Sequence, residues 1–334
     1  MGLHQGKKIL VTGGCGFIGS YLVERLISEG NEVVVIDDLS TGIKTNIEHL
    51  LNNKYFQFIN DTIFNYRKME EVLQGCDEIY HLAASVGVKY VVEHPVESIR
   101  INIRGTEIVL ELANRYHKKI FIVSSSEVYG KNMKRILNED DDSLLGGPKV
   151  LRWNYGHAKA IDEFLALAYH MEKGLEVVVG RLFNTCGPRQ VGTYGMVIPR
   201  FIEQALKGDP IMVYGNGKQV RAFCHVSDTI EGILRLMNHP KAVGDVFNIG
   251  NPEGITIFKL AKKIREMTNS KSKIILVPYK KVFSQNFEDI RYRVPDIRKI
   301  GKLTGYSPRV TLDQLLEQTI AWFKEELKKV KEGV

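Results

Sequence analysis

Cysteine is scarce in this chain and shows no pattern: Cys15, Cys76, Cys186 and Cys224 are scattered, with no C-x-x-C spacing. That argues against a zinc site or a disulfide framework, so no metal is expected and a reducing cytoplasm is the natural compartment. Long apolar runs are also missing. None approaches the ~20 residues that a membrane-spanning helix needs, so no membrane is expected as a partner. The N-terminal MGLHQGKK runs straight into an apolar strand without a small-residue cleavage site and does not read as a signal peptide. Gly2 is a poor site for acylation, because Lys7 and the strand follow at once. Nor is there a basic block. The net charge is +7, yet the one concentration, Lys324–Lys331, is interleaved with Glu and reads as a solvated helix face, so nucleic acid is not expected either. A positive balance does suit a small anionic substrate such as a nucleotide diphosphate.

With 334 residues the chain can form one large domain or two coupled ones. Its first half alternates short apolar runs with amphipathic stretches. Strands are expected at Lys8–Thr12, Glu32–Ile36, Tyr55–Ile59, Glu78–His81, Lys119–Ser124 and Glu176–Gly180. Helices are expected between them at Phe17–Ser28, Lys68–Gln74, Val96–Tyr116 and Tyr155–Lys173. Such alternation predicts an α/β fold, a doubly wound parallel sheet of the Rossmann type with helices on both faces. After Arg181 the texture changes, with turns at Gly187-Pro188, Asp209-Pro210, Gly215-Asn216-Gly217 and Asn251-Pro252. Residues 1–180 are therefore expected to bind a dinucleotide, with 223–250 returning to that domain. Residues 181–334 are expected to form a smaller mixed α/β part, mainly for substrate, with the active site in the cleft between.

The first strand leads into Val11-Thr12-Gly13-Gly14-Cys15-Gly16-Phe17-Ile18-Gly19 and then a helix. Gly14, Gly16 and Gly19 satisfy G-x-G-x-x-G, and Gly13, Gly16 and Gly19 the related G-x-x-G-x-x-G. Missing side chains let the backbone turn sharply and approach a pyrophosphate, which sits on the helix N-terminus. Gly13, Gly16, Phe17, Ile18 and Gly19 are accordingly expected to hold a cofactor. Asp37 ends the second strand, followed by Asp38. A carboxylate there accepts from the adenosine ribose and repels a 2′-phosphate, which favours NAD over NADP.

Tyr155 and Lys159 are four apart in a helical pattern and share one face. A neighbouring ammonium favours the phenolate, so the expected effect is a lowered Tyr155 pKa and a base for a substrate hydroxyl. The same spacing occurs at Tyr169/Lys173, beside the helix stop at Gly174, and at Tyr214/Lys218, across a Gly-rich turn. Ligands of doubly wound sheets bind at the carboxyl ends of the strands. Tyr155 opens a helix that starts on that side, and Tyr155 and Lys159 are expected to contact the cofactor as well.

Taken in order, TGGCGFIG, IDD, HLAA, SSSEVYG, YGHAK, RLFNTCGPRQ, VYGNGKQVRAFCHVSD, VFNIGNP and RVPDI resemble the extended short-chain dehydrogenase/reductase family of NAD-dependent nucleotide-sugar enzymes over nearly the whole chain. The resemblance implies that Ser125 assists Tyr155, that Asp61, Leu82 and Ala83 contact the cofactor, and that Asn184 and Arg221 contact the substrate's nucleotide diphosphate. It also implies a UDP-linked sugar as substrate and a homodimer built on the two long helices.

Within that family the residues around the tyrosine separate the reactions. Glucose 4-epimerases usually read SSSATVYG, whereas this chain reads Ser124-Ser125-Ser126-Glu127-Val128-Tyr129. The Ser-Ser-Glu triplet is similar to UDP-glucuronate decarboxylases and to GDP-mannose 4,6-dehydratases. Both need an acid/base near C5 of the sugar, a role open to Glu127 with Ser126; the alternative is a Glu solvated at a strand end. RLFNTCGPRQ and the Arg293-Val294-Pro295-Asp296-Ile297 segment favour the decarboxylases, which form UDP-xylose. Arg189 and Arg293 offer cations for a C6 carboxylate, and either can hold the diphosphate instead. The loop Ser85-Val86-Gly87-Val88-Lys89-Tyr90 departs from the decarboxylases' Pro-rich segment. A UDP-glucuronate or UDP-glucose 4-epimerase is the next reading, a 4,6-dehydratase follows, and a non-catalytic dinucleotide-binding scaffold is last, since both Tyr155 and Lys159 are present.

Overall fold

A computed structural model describes residues 6–192, 195–283 and 288–332; the N-terminal segment with Gly2, and Tyr194, lie outside the described residues. The first half runs β1 (Lys8–Thr12), α1 (Phe17–Ser28), β2 (Glu32–Ile36), β3 (Phe56–Ile59), α2 (Tyr66–Gln74), β4 (Glu78–His81), α3 (Val88–Glu93), α4 (Pro95–Ile99), α5 (Thr106–Arg115), β5 (Lys119–Ser125), α6 (Trp153–Lys173) and β6 (Val177–Leu182). The expected strands are all found, within two residues at either end.

These strands form one parallel sheet with a later strand, β11 (Asp245–Ile249), in the order β11-β6-β5-β4-β1-β2-β3. Strands such as KILVT and EVVVI are apolar on both faces because both faces are covered. Alternate residues point to opposite sides. Ile9, Val11, Val33 and Val35 pack with Leu22 and Leu26 of α1 and with Ile230 and Ile233 of α8 (Val226–Met237). Leu10, Val34 and Ile36 pack with Met69 of α2, Leu112 of α5 and Ala166 of α6.

One expected helix is interrupted. Val96–Tyr116 is α4 and α5 joined by a π-helical stretch, Arg100–Gly105. The cause is local competition for backbone groups. The Asn102 amide donates to Ser98 O (2.9 Å) and Ser85 O (3.3 Å), and the Thr106 hydroxyl donates to Asn102 O (2.6 Å). The widened turn thus ties the helix to the Ser85 loop.

The second half contains β7 (Thr185–Cys186), α7 (Val197–Lys207), β8 (Ile211–Tyr214), β9 (Val220–Ala222), β10 (Cys224–His225), α8, β11, β12 (Gly254–Thr256), α9 (Ile257–Met267), β13 (Ile274–Val277), β14 (Tyr292–Arg293), α10 (Arg298–Thr304) and α11 (Leu312–Glu332). A separate core joins α7, β8, α9 and α11 through Phe201, Val213, Leu260 and Leu315. No described helix is long and apolar enough to cross a membrane.

Candidate active site

A cleft of about 920 Å³ opens beside the point where the sheet order reverses, between β1 and β4. Ligands of doubly wound sheets bind there. Every site residue expected from the sequence lines this cleft: Gly13, Gly16, Phe17, Ile18, Gly19, Asp37, Asp38, Asp61, Leu82, Ala83, Ser125, Ser126, Glu127, Tyr155, Lys159, Asn184, Arg189, Arg221 and Arg293.

At the β1–α1 turn the backbone packs too closely for side chains. Gly13 has φ 73°, and a Cβ on it would stand 2.7 Å from the Ala83 nitrogen. A Cβ on Gly19 would stand 2.2 Å from Gly13 O. Gly16 caps α1 without a side chain, which leaves the first N–H groups of the helix open to an anion. Asp37 accepts from Cys15 N and Leu39 N, both at 2.9 Å, so its carboxylate holds the loop. Burial raises the Asp37 pKa against those two N–H groups. Asp38 is exposed and accepts from Ser40 N. Asp61 accepts from Thr62 N and from the Asn65 amide, both at 2.7 Å. The N–H groups of Leu82 and Ala83 go to Thr12 O and Thr12 Oγ1. Open N–H groups, an absence of side chains and an acid at the end of β2 fit a dinucleotide.

Tyr155 lies in the first turn of α6, and Lys159 follows one turn on. Lys159 is buried and bonds Asp162 Oδ2 at 3.0 Å. Of the alternatives, Tyr169 does not line the cleft; Tyr214 does, but there it carries the Arg200 guanidinium, 3.7 Å over its ring. The expected lowering of the Tyr155 pKa is corrected. Burial raises it, the Lys159 ammonium and the Ser125 hydroxyl oppose, and Glu127 and Asp162 add to the rise. Behind the pair, Glu163 of α6 accepts from Ser124 Oγ (2.5 Å) and Arg181 Nη2 (2.7 Å), which fixes the ends of β5 and β6 against the helix.

Ser125 ends β5, and its Oγ accepts from Glu127 N at 3.2 Å; Ser126 is buried in the 3-10 turn that follows. Glu127 is clamped rather than solvated. Its Oε2 accepts from Arg152 Nη2 at 2.7 Å, and its Oε1 from Arg293 Nη1. Burial pushes its carboxyl pKa up, but Arg152 and Arg293, with help from Arg221, outweigh that and hold it at about 2. In this arrangement Glu127 is a carboxylate at neutral pH. Arg293 also donates to Asn184 Oδ1, and the Asn184 amide donates to Ala222 O at 2.7 Å. Asp289 is the second acid of the cluster. It pairs with Arg221 at 2.9 Å and with Arg152 at 3.5 Å, and accepts from the Tyr279 hydroxyl. Burial lowers the Arg221 pKa to about 10 despite Asp289.

Arg189 is placed differently from Arg293. It pairs with Glu24 at 2.8 Å, donates to Ser20 Oγ at 3.3 Å and covers the Tyr21 ring, all on α1. The structure does not bring it into the Glu127 cluster. The sequence reading missed Arg152, Asp162, Tyr279 and Asp289. For the first two a signal was at hand: both flank Tyr155 and Lys159 at helical spacing. Asp289 and Tyr279 carry none, since only the fold brings them to Arg221.

Residues 10–319 match the family model described as GDP-mannose 4,6 dehydratase. The chain is 41% identical to a UDP-N-acetyl-alpha-D-glucosaminuronate decarboxylase of Bacillus cytotoxicus, over 96% of this chain and 98% of that one. It is 38% identical to UDP-glucuronic acid decarboxylase 1 of Danio rerio, over 96% of this chain and 73% of that one. Among solved structures, a UDP-glucuronic acid 4-epimerase of Bacillus cereus, in complex with UDP-glucuronic acid and NAD, superposes with a TM-score of 0.85 at 30% identity, over 96% of this chain and 99% of that one.

Proposed function

The chain belongs to the GDP-mannose 4,6 dehydratase family, and on that basis we propose that it is an NAD-dependent decarboxylase of a UDP-linked uronic acid, converting UDP-glucuronate to UDP-xylose through a 4-keto sugar. The observation that carries this reading is the set of three arginines, Arg152, Arg221 and Arg293, around Glu127 and Asp289 beside Tyr155. Arginines held by exchangeable carboxylates suit a substrate that brings a diphosphate and a carboxylate of its own.

The Gly13–Gly19 loop, Asp37, Asp61 and Leu82-Ala83 would hold NAD, which when bound would supply a reversible hydride acceptor for C4. Tyr155 takes the proton of the sugar's C4 hydroxyl, with Lys159 and Ser125 favouring its phenolate. A ketone at C4 makes the C6 carboxylate that of a β-keto acid. The C5–C6 bond then breaks to release CO₂, and its electron pair is delocalised into the C4 carbonyl until C5 takes a proton. Arg293 receives the C6 carboxylate by giving up Glu127. That releases Glu127 with Ser126 beside C5, as the group that manages the proton there. Asn184 and Arg221 take the diphosphate, and Arg189, paired with Glu24 of α1, serves the cofactor side. Residues 1–180 with 223–250 serve the dinucleotide, and the rest of 181–334 mainly the nucleotide sugar.

The test is UDP-glucuronate labelled at C6, supplied without reductant. Labelled CO₂ and a lighter sugar nucleotide support decarboxylation, while label kept in a sugar nucleotide of unchanged mass leaves the 4-epimerase. The relative at 41% identity favours a second reading for the sugar, in which C2 carries an acetamido group. Offering both uronic acids in competition separates the two.

We further propose a cytoplasmic two-fold homodimer. Its support is the large apolar surface left on the long helices: Phe164 and Met171 of α6 are 76% and 82% exposed, and Val96 of α4 is 80% exposed.

A further inference from the structure

Lys159, which lines the cleft, and Asp162, which does not, form a buried ion pair. Their side chains are 2% and 1% exposed, their charged atoms are 3.0 Å apart, and both stand on α6 three residues apart. Asp162 is almost wholly buried and stands behind Lys159, away from the cleft surface. Its Oδ1 is buried without a hydrogen-bond partner. The Thr106 hydroxyl faces Asp162 but gives its proton to Asn102 O at 2.6 Å. Burying half a carboxylate unsatisfied is costly. The helix could place an apolar residue there; instead it places a second charge beside the catalytic ammonium.

We infer that Asp162 is a positioning residue of the catalytic pair, a buried carboxylate that fixes the Lys159 ammonium and sets how much of its charge reaches Tyr155. This rests on the reading of Tyr155 and Lys159 as the acid/base pair. The argument is one of net charge. With Asp162 ionised, the buried trio of Tyr155, Lys159 and Asp162 is neutral, and losing a proton makes it an anion. Without that charge the trio is a cation, and losing a proton makes it neutral. In a poorly solvated site the second step is easier, whichever of the two groups releases the proton. Asp162 therefore keeps Lys159 charged and makes Tyr155 hold its proton to higher pH.

The other groups facing the trio leave this sign unchanged. His81 of β4 is neutral, its pKa held at about 3 by burial and by Lys159. Ser125 of β5 and Thr106 of α5 carry no charge. Glu163 of α6 is paired with Arg181 of β6, and Glu127, paired with Arg152 and Arg293, acts on Tyr155 in the same direction as Asp162.

The experiment is the pH dependence of kcat/KM for Asp162→Asn against the unaltered enzyme, with Asp162→Ser as the second variant should the first not fold. The acid limb is expected to move down by about one pH unit or more. A carboxylate with only a structural role would lower the melting temperature and leave the limb in place, and that result overturns the inference. Lys159→Met gives a reading independent of turnover. It strands Asp162 as a lone buried carboxylate, so adding Asp162→Asn should restore lost melting temperature; no recovery also overturns it. Tyr155→Phe separates the two levels. Normal turnover in that variant defeats the acid/base reading itself, whereas an inactive Tyr155→Phe beside an unmoved limb defeats only the role of Asp162.

Discussion

Replacing Glu127 by glutamine should tighten the binding of UDP-glucuronate while slowing the loss of CO₂. Glu127 and an incoming C6 carboxylate compete for one cation, since Glu127 Oε1 already occupies Arg293 Nη1. A hydrogen bond to a charged group contributes about 1.5–3 kcal/mol, which corresponds to roughly 10- to 100-fold in affinity. Glutamine keeps a neutral oxygen for Arg293, so the lower figure applies: about a tenfold fall in Kd. Calorimetric titration of both proteins with UDP-glucuronate and with UDP-glucose reads it. The UDP-glucose affinity should barely change, because that sugar has no C6 carboxylate to compete. CO₂ release from C6-labelled substrate should fall by roughly 10²-fold, the scale of a lost acid/base group. Weaker binding of UDP-glucuronate to the variant, or an equal change for both sugars, would refute the idea that substrate takes Arg293 from Glu127.

Tyr155→Phe should cut turnover by about 10²-fold or more while leaving UDP-sugar affinity nearly unchanged, as steady-state kinetics and titration will read. Acid unfolding should depend on Glu127, whose pKa in the folded chain is about 2 against an ordinary 4.5. The folded value is depressed, so the stabilisation is fully present above pH 4.5 and is lost as pH falls towards 2, about 3 kcal/mol in all. Denaturant melts at pH 7 and pH 4 should therefore show the gap between the native protein and Glu127→Gln narrowing as acid is added. Phe164→Asp should convert the proposed dimer to monomer in sedimentation at micromolar concentration with catalytic residues untouched; a native protein that sediments as a monomer, or an unchanged sedimentation coefficient, would count against α6 as the interface.

Most of the sheet could be read in the chain because its signals are local. The centres of runs such as KILVT and EVVVI, Ile9–Val11 and Val33–Ile36, are apolar throughout, and β1 is followed at once by a Gly-rich turn and a helix. The end of α6 at Gly174 was legible for the same reason: the glycine takes the left-handed cap, φ 72°. The break between α4 and α5 was not. Its sequence keeps a helical pattern, and what widens the turn is the Asn102 amide reaching back to Ser98 O and across to Ser85 O. A side chain that bonds the backbone of another segment leaves no mark on periodicity.

The candidate site divides along the same line. Spacing along one element reveals Gly13–Gly19 and the Tyr155/Lys159 pair, and it could have revealed Arg152 and Asp162 by the same rule. It does not reveal charge state. Glu127 and Arg293 are 166 residues apart, and only their meeting turns a candidate acid into a clamped carboxylate. Tyr155 shows the same limit in the opposite direction. Its lysine neighbour is visible in the sequence and argues for a lowered pKa, but burial, Glu127 and Asp162 together reverse the sign. Residue types therefore identify the family's common oxidation step, which depends on neighbours along a helix. In the proposed mechanism the later step, where CO₂ is either lost or retained, depends on which arginine holds which carboxylate across the cleft. That is why the reaction must be argued from Glu127, Arg152 and Arg293 as a set, and why exchanging one charge in that set tests it more sharply than removing the tyrosine.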